Sequence, residues 1–225
     1  MTVKRIDTYS KKWPVAIAGV LSGMYMFFVL PFHIPVAIYS VFNFDEFMNS
    51  RYLSDKLIAI SSFIVPLAIA IAINAILKQR KNIKEFVSFF SETGLSEPMP
   101  QNVSMSWTGL AYVALDTKMG TLLYINHPDT KISNFFFPKD VRVMGFGMYD
   151  WKSIELVGNQ LTIYTGNPEL PAVTINTRKA AMLYEKINAM RAKQWSYEYS
   201  IPGYVEHQAK RIAESNEINL ILPPR

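Results

Sequence analysis

From Trp13 to Phe44 the chain carries no charged residue, and from Leu57 to Leu77 it again carries none. The second run is 21 residues long, close to the roughly 20 that a helix needs to cross a bilayer. Twelve of its residues are Ile, Leu, Phe or Val, which favour insertion by roughly 4–7 kcal/mol before the costs of Ser61, Ser62, Pro66 and Asn74. It is apolar all round and lacks the polar face of a helix lying on a soluble core. The first run is longer than one span needs and carries Pro31 and Pro35, which remove helix hydrogen bonds and bias the preceding residues away from helix. A main helix over about residues 14–30 is expected. Residues 31–41 either continue it with a kink or lie at the interface, where His33 and Tyr39 would meet water.

After the basic exit at Lys78–Lys84, Ile83, Phe86, Val87, Phe89 and Phe90 fall near helical spacing, predicting an amphipathic stalk that Gly94 ends. Pro98 and Pro100 then mark a linker to residue 102. Beyond it the period shortens to that of β-strands, with candidates at Leu110–Leu115, Thr121–Asn126, Asn134–Phe137, Val141–Met144, Ser153–Val157, Leu161–Tyr164 and Ala172–Ile175. Lys118-Met119-Gly120, Gly158-Asn159 and Gly166-Asn167-Pro168 punctuate them as turns. A helix capped at Asn176 or Thr177 and running to about Lys193 carries an apolar stripe of Ala180, Leu183, Tyr184, Ile187 and Met190. This order predicts an α+β membrane protein: a two-helix transmembrane hairpin, then an antiparallel sheet closed by a C-terminal helix, as in a pleckstrin-homology-like barrel. The divisions are an anchor at 1–84, a stalk and linker at 85–102, a β-rich domain at 103–195 and a tail at 196–225. The tail has a short helical pattern (Val205, Ala209, Ile212) and reads as solvated, or as docked on the domain or a partner.

Charge changes this picture in one respect. The net charge is +5, yet residues 1–84 hold ten Lys/Arg against four Asp/Glu, whereas residues 85–225 hold thirteen against fourteen. The basic excess belongs to the anchor, so the domain lacks the basic face that nucleic-acid binding requires. Lys4, Arg5, Lys11 and Lys12 precede the first span and Lys78, Arg80, Lys81 and Lys84 follow the second, while the loop between them, Asn43–Lys56, is acidic by one charge. The positive-inside rule then places both ends of the hairpin in the cytoplasm. A cleaved signal peptide is a poorer reading of the first run, since no small-residue cleavage site follows Leu30.

Candidate chemistry adds little. The chain has no cysteine, so thiolate nucleophiles, disulfides and Cys-ligated metals are excluded. His33, His127 and His207 lie far apart and none has a partner at metal-ligand spacing; His127, in Asn126-His127-Pro128-Asp129, reads as a turn residue. Gly145-Phe146-Gly147 lacks the third glycine of a dinucleotide loop and reads as a loop or bulge. Asp140, Asp150 and Glu155 read as a solvated sheet edge. Lys118 alone in the first hairpin is too little for phosphate capture. In an alternating strand at least one ring of Phe135-Phe136-Phe137 would point away from the core and could join a protein contact, and a strand covered on both faces is the other reading. No catalytic, cofactor or metal site is therefore expected, and the activity expected is binding.

The start Met1-Thr-Val-Lys-Arg-Ile-Asp-Thr-Tyr-Ser-Lys-Lys-Trp-Pro14, the hairpin and the Lys78-Gln-Arg-Lys81 exit resemble the surface (entry) exclusion proteins of I-type conjugative plasmids. Such proteins sit in a recipient cell and block redundant uptake of a plasmid it already holds. The resemblance implies a bacterial inner-membrane location and, as partner, a membrane protein of the donor's transfer apparatus. If that partner arrives from outside, the exposed turn, with Phe44, Asp45, Glu46, Phe47, Arg51 and Tyr52, is the part this topology presents to it, although such a turn equally serves simply to join two helices. A structural or assembly subunit of a resident secretion or envelope complex is the alternative.

Overall fold

A computed structural model describes residues 3–5, 13–106, 108–128 and 138–223. The strand expected over Asn134–Phe137, with its phenylalanines, and the basic pair Lys11 and Lys12 lie outside them. The chain divides into two compact units.

One unit comprises residues 13–75. Helix α1 (Trp13–Met24), a π-turn (Tyr25–Val29) and α2 (Leu30–Phe42) follow without a break. Residues 31–41 are thus helical. The ring of Pro31 would press on the carbonyl four residues back, and the wider π-turn relieves this, with the Leu30 N–H reaching Tyr25 O. A short helix α3 (Phe44–Asn49) precedes the 40-residue α4 (Leu53–Glu92). Buried Ser40 and Ser62 meet at 2.5 Å between their Oγ atoms, a small-residue contact that lets α2 and α4 approach closely. By length and composition, Ile17–Phe42 and Leu53–Glu92 could each cross a membrane.

The other unit comprises residues 1–10, 76–128 and 138–225. Its strands are β1 (Val3–Arg5), β2 (Val103–Met105), β3 (Ala111–Asp116), β4 (Thr121–Asn126), β5 (Asp140–Gly147), β6 (Ser153–Val157), β7 (Gln160–Asn167) and β8 (Leu170–Asn176). Helices α5 (Ala180–Arg191) and α6 (Ile201–Ser215) and strand β9 (Asn219–Leu222) follow. Six strands form one sheet in the order β1-β9-β5-β4-β3-β2, and β6-β7-β8 form a second. Gly158, at φ +59°, takes the left-handed backbone that the two-residue β6–β7 turn requires.

The expected closed barrel is not what forms. Among the described residues no ladder joins the two sheets, and the outer edge of β5 is taken by β9, which lies parallel to both β5 and β1. The stretch 196–225, expected as a tail, supplies that strand together with α6. Val205, Ala209, Ile212, Leu220 and Leu222 are all buried, because an amphipathic helix followed by a short apolar strand has an open sheet edge to complete.

Strands β3 and β4 are buried along nearly their whole length, which follows from packing on both faces of the large sheet. Alternation sends Tyr112, Ala114, Leu123 and Ile125 to one side, where they meet Ile83, Phe86 and Phe90 of α4 and the apolar stripe of α6. Val113, Leu115 and Leu122 turn the other way, onto Leu161, Ile163 and Val173 of the small sheet and Leu183 and Ile187 of α5. The expected stalk is therefore core: Ile83, Phe86 and Phe90 are fully buried. Gly145 and Gly147, expected in a loop or bulge, lie in β5, where a Cβ on Gly145 would stand 2.4 Å from Val205 Cγ2. A missing side chain there lets α6 lie close on the sheet.

Candidate functional site

The residues singled out in the turn between the two long helices are brought together. Asp45 and Glu46 occupy the first turn of α3, favoured by its dipole, so the expected loop is a short helix. Phe44, Asp45, Glu46, Arg51 and Tyr52 are exposed and Phe47 is half-buried. Phe44 meets the edge of Phe63 at 5.5 Å and Phe47 that of Tyr39 at 5.9 Å, between ring centroids. Ser50 Oγ donates to Asp55 Oδ2 at 2.5 Å, fixing the entry to α4. The turn is thus anchored by rings and presents two carboxylates, one guanidinium and Tyr52, which is 72% exposed. It can dock a protein surface; it holds no arrangement for bond chemistry.

The other singled-out groups do not converge. Asp150, half-buried, accepts the Gly147 N–H at 2.6 Å, and burial pushes its carboxyl above the ordinary value against the lowering effect of that bond. Glu155 accepts the Tyr164 hydroxyl proton at 2.5 Å on an exposed edge. His127 Nδ1 lies 3.2 Å from Asp140 O. His33 lines a cavity of about 470 Å³ between α2 and α4, and its buried Nε2 has no hydrogen-bond partner among the described residues.

A second cleft, of about 600 Å³, opens between β2 and the start of α5, with Tyr112, Val113 and Ile175 among its apolar lining. Side chains pin its two walls. Ser104 Oγ and Thr177 Oγ1 are 2.5 Å apart, and Lys179 Nζ donates to Val103 O at 2.6 Å and Gln101 O at 3.1 Å. Below the rim, buried Asn102 accepts from Lys186 Nζ. Nearby, buried Asp116 accepts three backbone N–H groups, from Glu97, Lys118 and Met119, so its charge is spent holding the β3–β4 turn to the segment after α4.

Sequence reading missed this cleft, because its walls are 70 residues and more apart in the chain. One signal was present: Arg178 and Lys179 stand at the start of a helix whose first turn holds no acidic residue, the reverse of what the dipole favours.

Burial pushes the Tyr112 phenol from 10.0 up to about 12. As pH rises through 10 the unfolded phenol ionises while the folded one keeps its proton. The stability this group contributes is whole below pH 10 and is lost as pH climbs towards 12. Tyr112→Phe is expected to lose less stability than the parent between about pH 9 and about pH 11, measured by chemical denaturation of the purified chain. Equal losses in the two proteins would contradict the assignment.

Compared with known proteins, the chain matches the family model described as exclusion-determining protein over residues 1–223. No curated protein and no solved structure matches it.

Proposed function

The chain belongs to the exclusion-determining protein family, and from that premise we propose that it is an inner-membrane protein that blocks redundant conjugative entry of an I-type plasmid. It does so by recognising a membrane protein of the incoming transfer apparatus. The observation that carries the exclusion reading is the family match across nearly the whole chain.

The membrane part of the reading is supported by the sheet. Val3 pairs with Leu220 and Arg5 with Leu222, so the two ends of the chain share one sheet. Between Arg5 and the return to that unit at Ile76 lie the first long apolar helix and the charge-free stretch of the second. A chain that leaves and re-enters one sheet through a bilayer crosses it an even number of times. Two spans with both termini on one side satisfy this, and the basic flanks favour the cytoplasm as that side. Binding is favoured over catalysis because the exposed turn and the cleft offer apolar, hydroxyl and charged contact groups with no nucleophile and base held together.

Transfer frequency from an I-type donor into recipients making this chain, with an unrelated plasmid donor as control, tests the reading. A several-fold or larger drop for the I-type donor alone is expected. No drop, with the protein shown to be in the membrane, would overturn it in favour of a resident envelope subunit.

A further inference from the structure

The cleft beside β2 has features that select its occupant. Strand β2 ends the six-stranded sheet, so one of its sides has no neighbouring strand among the described residues. Successive residues of an antiparallel strand turn their N–H and C=O alternately to the partner and away. The Ser106 N–H bonds to Ala111 O at 2.8 Å, so Ser104 faces β3 as Ser106 does, and Val103 and Met105 face the open side. Val103 is already satisfied, its N–H by Pro100 O and its O by Lys179. The outward N–H and C=O of Met105 meet no partner among the described residues, and Met105 is 41% exposed.

The charge of the cleft is one-sided. Arg178 and Lys179 line it and no Asp or Glu does among the described residues. Arg178 is exposed and makes no ion pair or hydrogen bond among the described residues. The cleft therefore combines an unpaired backbone donor and acceptor, an apolar floor and an uncompensated guanidinium at the rim. An open strand edge beside a floor that takes alternate side chains is how extended peptides are bound: main-chain bonds give affinity and the floor gives selectivity. An anionic lipid headgroup would have no use for the Met105 backbone.

We propose that this cleft takes an extended segment of the partner protein, with alternating apolar and acidic residues, which adds to the edge of β2 at Met105 and sets a carboxylate against Arg178. This deepens the exclusion reading and rests on it. The apolar residues of the segment face Val113 and Ile175, and its acidic residues face the rim.

The test is the same mating assay, with the level of each variant in the membrane fraction measured alongside. Met105→Pro removes the outward N–H at a position with no bond to β3 to lose, and Arg178→Glu reverses the rim charge without disturbing buried structure. Each is expected to raise I-type transfer about tenfold or more above the parent, the loss of a contact worth one decade of affinity. Lys118→Glu, an exposed charge reversal that does not line the cleft, is expected to stay within about twofold. If the parent chain excludes and Arg178→Glu still excludes equally well, the proposal fails. It fails too if Arg178→Glu loses exclusion while a normally accumulating Met105→Pro keeps it, which would leave an anionic lipid or another charged ligand without strand pairing. Where Met105→Pro does not accumulate, Arg178→Glu alone decides, with loss supporting and retention overturning the proposal. A parent that fails to exclude at all is the separate failure of the exclusion reading.

Discussion

Stopping the chain after Asn216 is expected to destroy the folded β-rich unit and to return transfer frequency to that of cells lacking the protein. The cut removes Ile218, Leu220 and Leu222, whose relative exposures are 2%, 0% and 1%. At about 1.5–3 kcal/mol for each large apolar side chain kept from water, their loss is roughly 5–9 kcal/mol. It also strips the neighbours from β1 and from the outer edge of β5, leaving backbone groups without partners. Set against the roughly 5–15 kcal/mol by which domains are stable, the loss consumes most of the margin. Limited proteolysis of membranes would check this: the parent is expected to leave a resistant fragment and the truncated chain none. Removing only Pro224 and Arg225 is expected to change neither fragment nor exclusion. A stable, excluding protein without residues 217–225 would mean that β9 is not part of the working fold.

Phe86→Ala is the second large effect. On an amphipathic stalk exposed to solvent this change would cost less than about 1 kcal/mol. In the structure Phe86 is fully buried between α4 and the large sheet, among Ile83, Phe90 and the α6 stripe. Emptying that site is expected to cost about 3–5 kcal/mol, the transfer energy of the ring plus the cavity it leaves. Lys81→Ala, one turn earlier on the same helix, breaks only an exposed pair with Glu85 at 3.7 Å and is expected to cost under about 1 kcal/mol. Denaturant midpoints of the two variants, purified as full chains, separate the accounts. Similar small shifts for both would restore the stalk.

These two variants mark where the sequence was and was not legible. Thr121–Asn126 and Ser153–Val157 have the ends that their β-rich composition and flanking turn residues predict, since both signals are local. The apolar helices are legible for the same reason, being long and uninterrupted. What lay hidden depends on distant partners. Ile83, Phe86 and Phe90 show a helical stripe, but nothing nearby in the chain says that β3 and β4 will cover it. Val3-Lys4-Arg5 reads as a basic flank because three residues with two charges cannot announce a strand. Asn219–Leu222 is too short and too uniformly apolar for period-2 alternation to emerge. Gly145 looks like punctuation until the position of Val205 is known. The exposed turn from Phe44 to Tyr52 was legible as a turn, and its acidic first helical turn was there to be read as α3. The cleft was not, because Ser104 and Thr177 come together only through the stacking of two sheets.

The parallel pairing of β1 with β9 also sets an order of events during synthesis. Val3 is made some 217 residues ahead of its partner Leu220. At about 5–20 residues per second, the first strand exists for roughly 10–40 s before its neighbour can be placed beside it. From the completion of β5 until then, its outer edge is bare, an edge that can recruit strands from other nascent chains. Both long apolar helices are made before any strand after β1. On the proposed membrane reading, a cell that delivers them promptly to the bilayer tethers the unfinished sheet and dilutes it in two dimensions, away from other incomplete copies. Crowded synthesis of this chain, or a delay in inserting its helices, would therefore be punished first as aggregation through β5, before any loss of recognition.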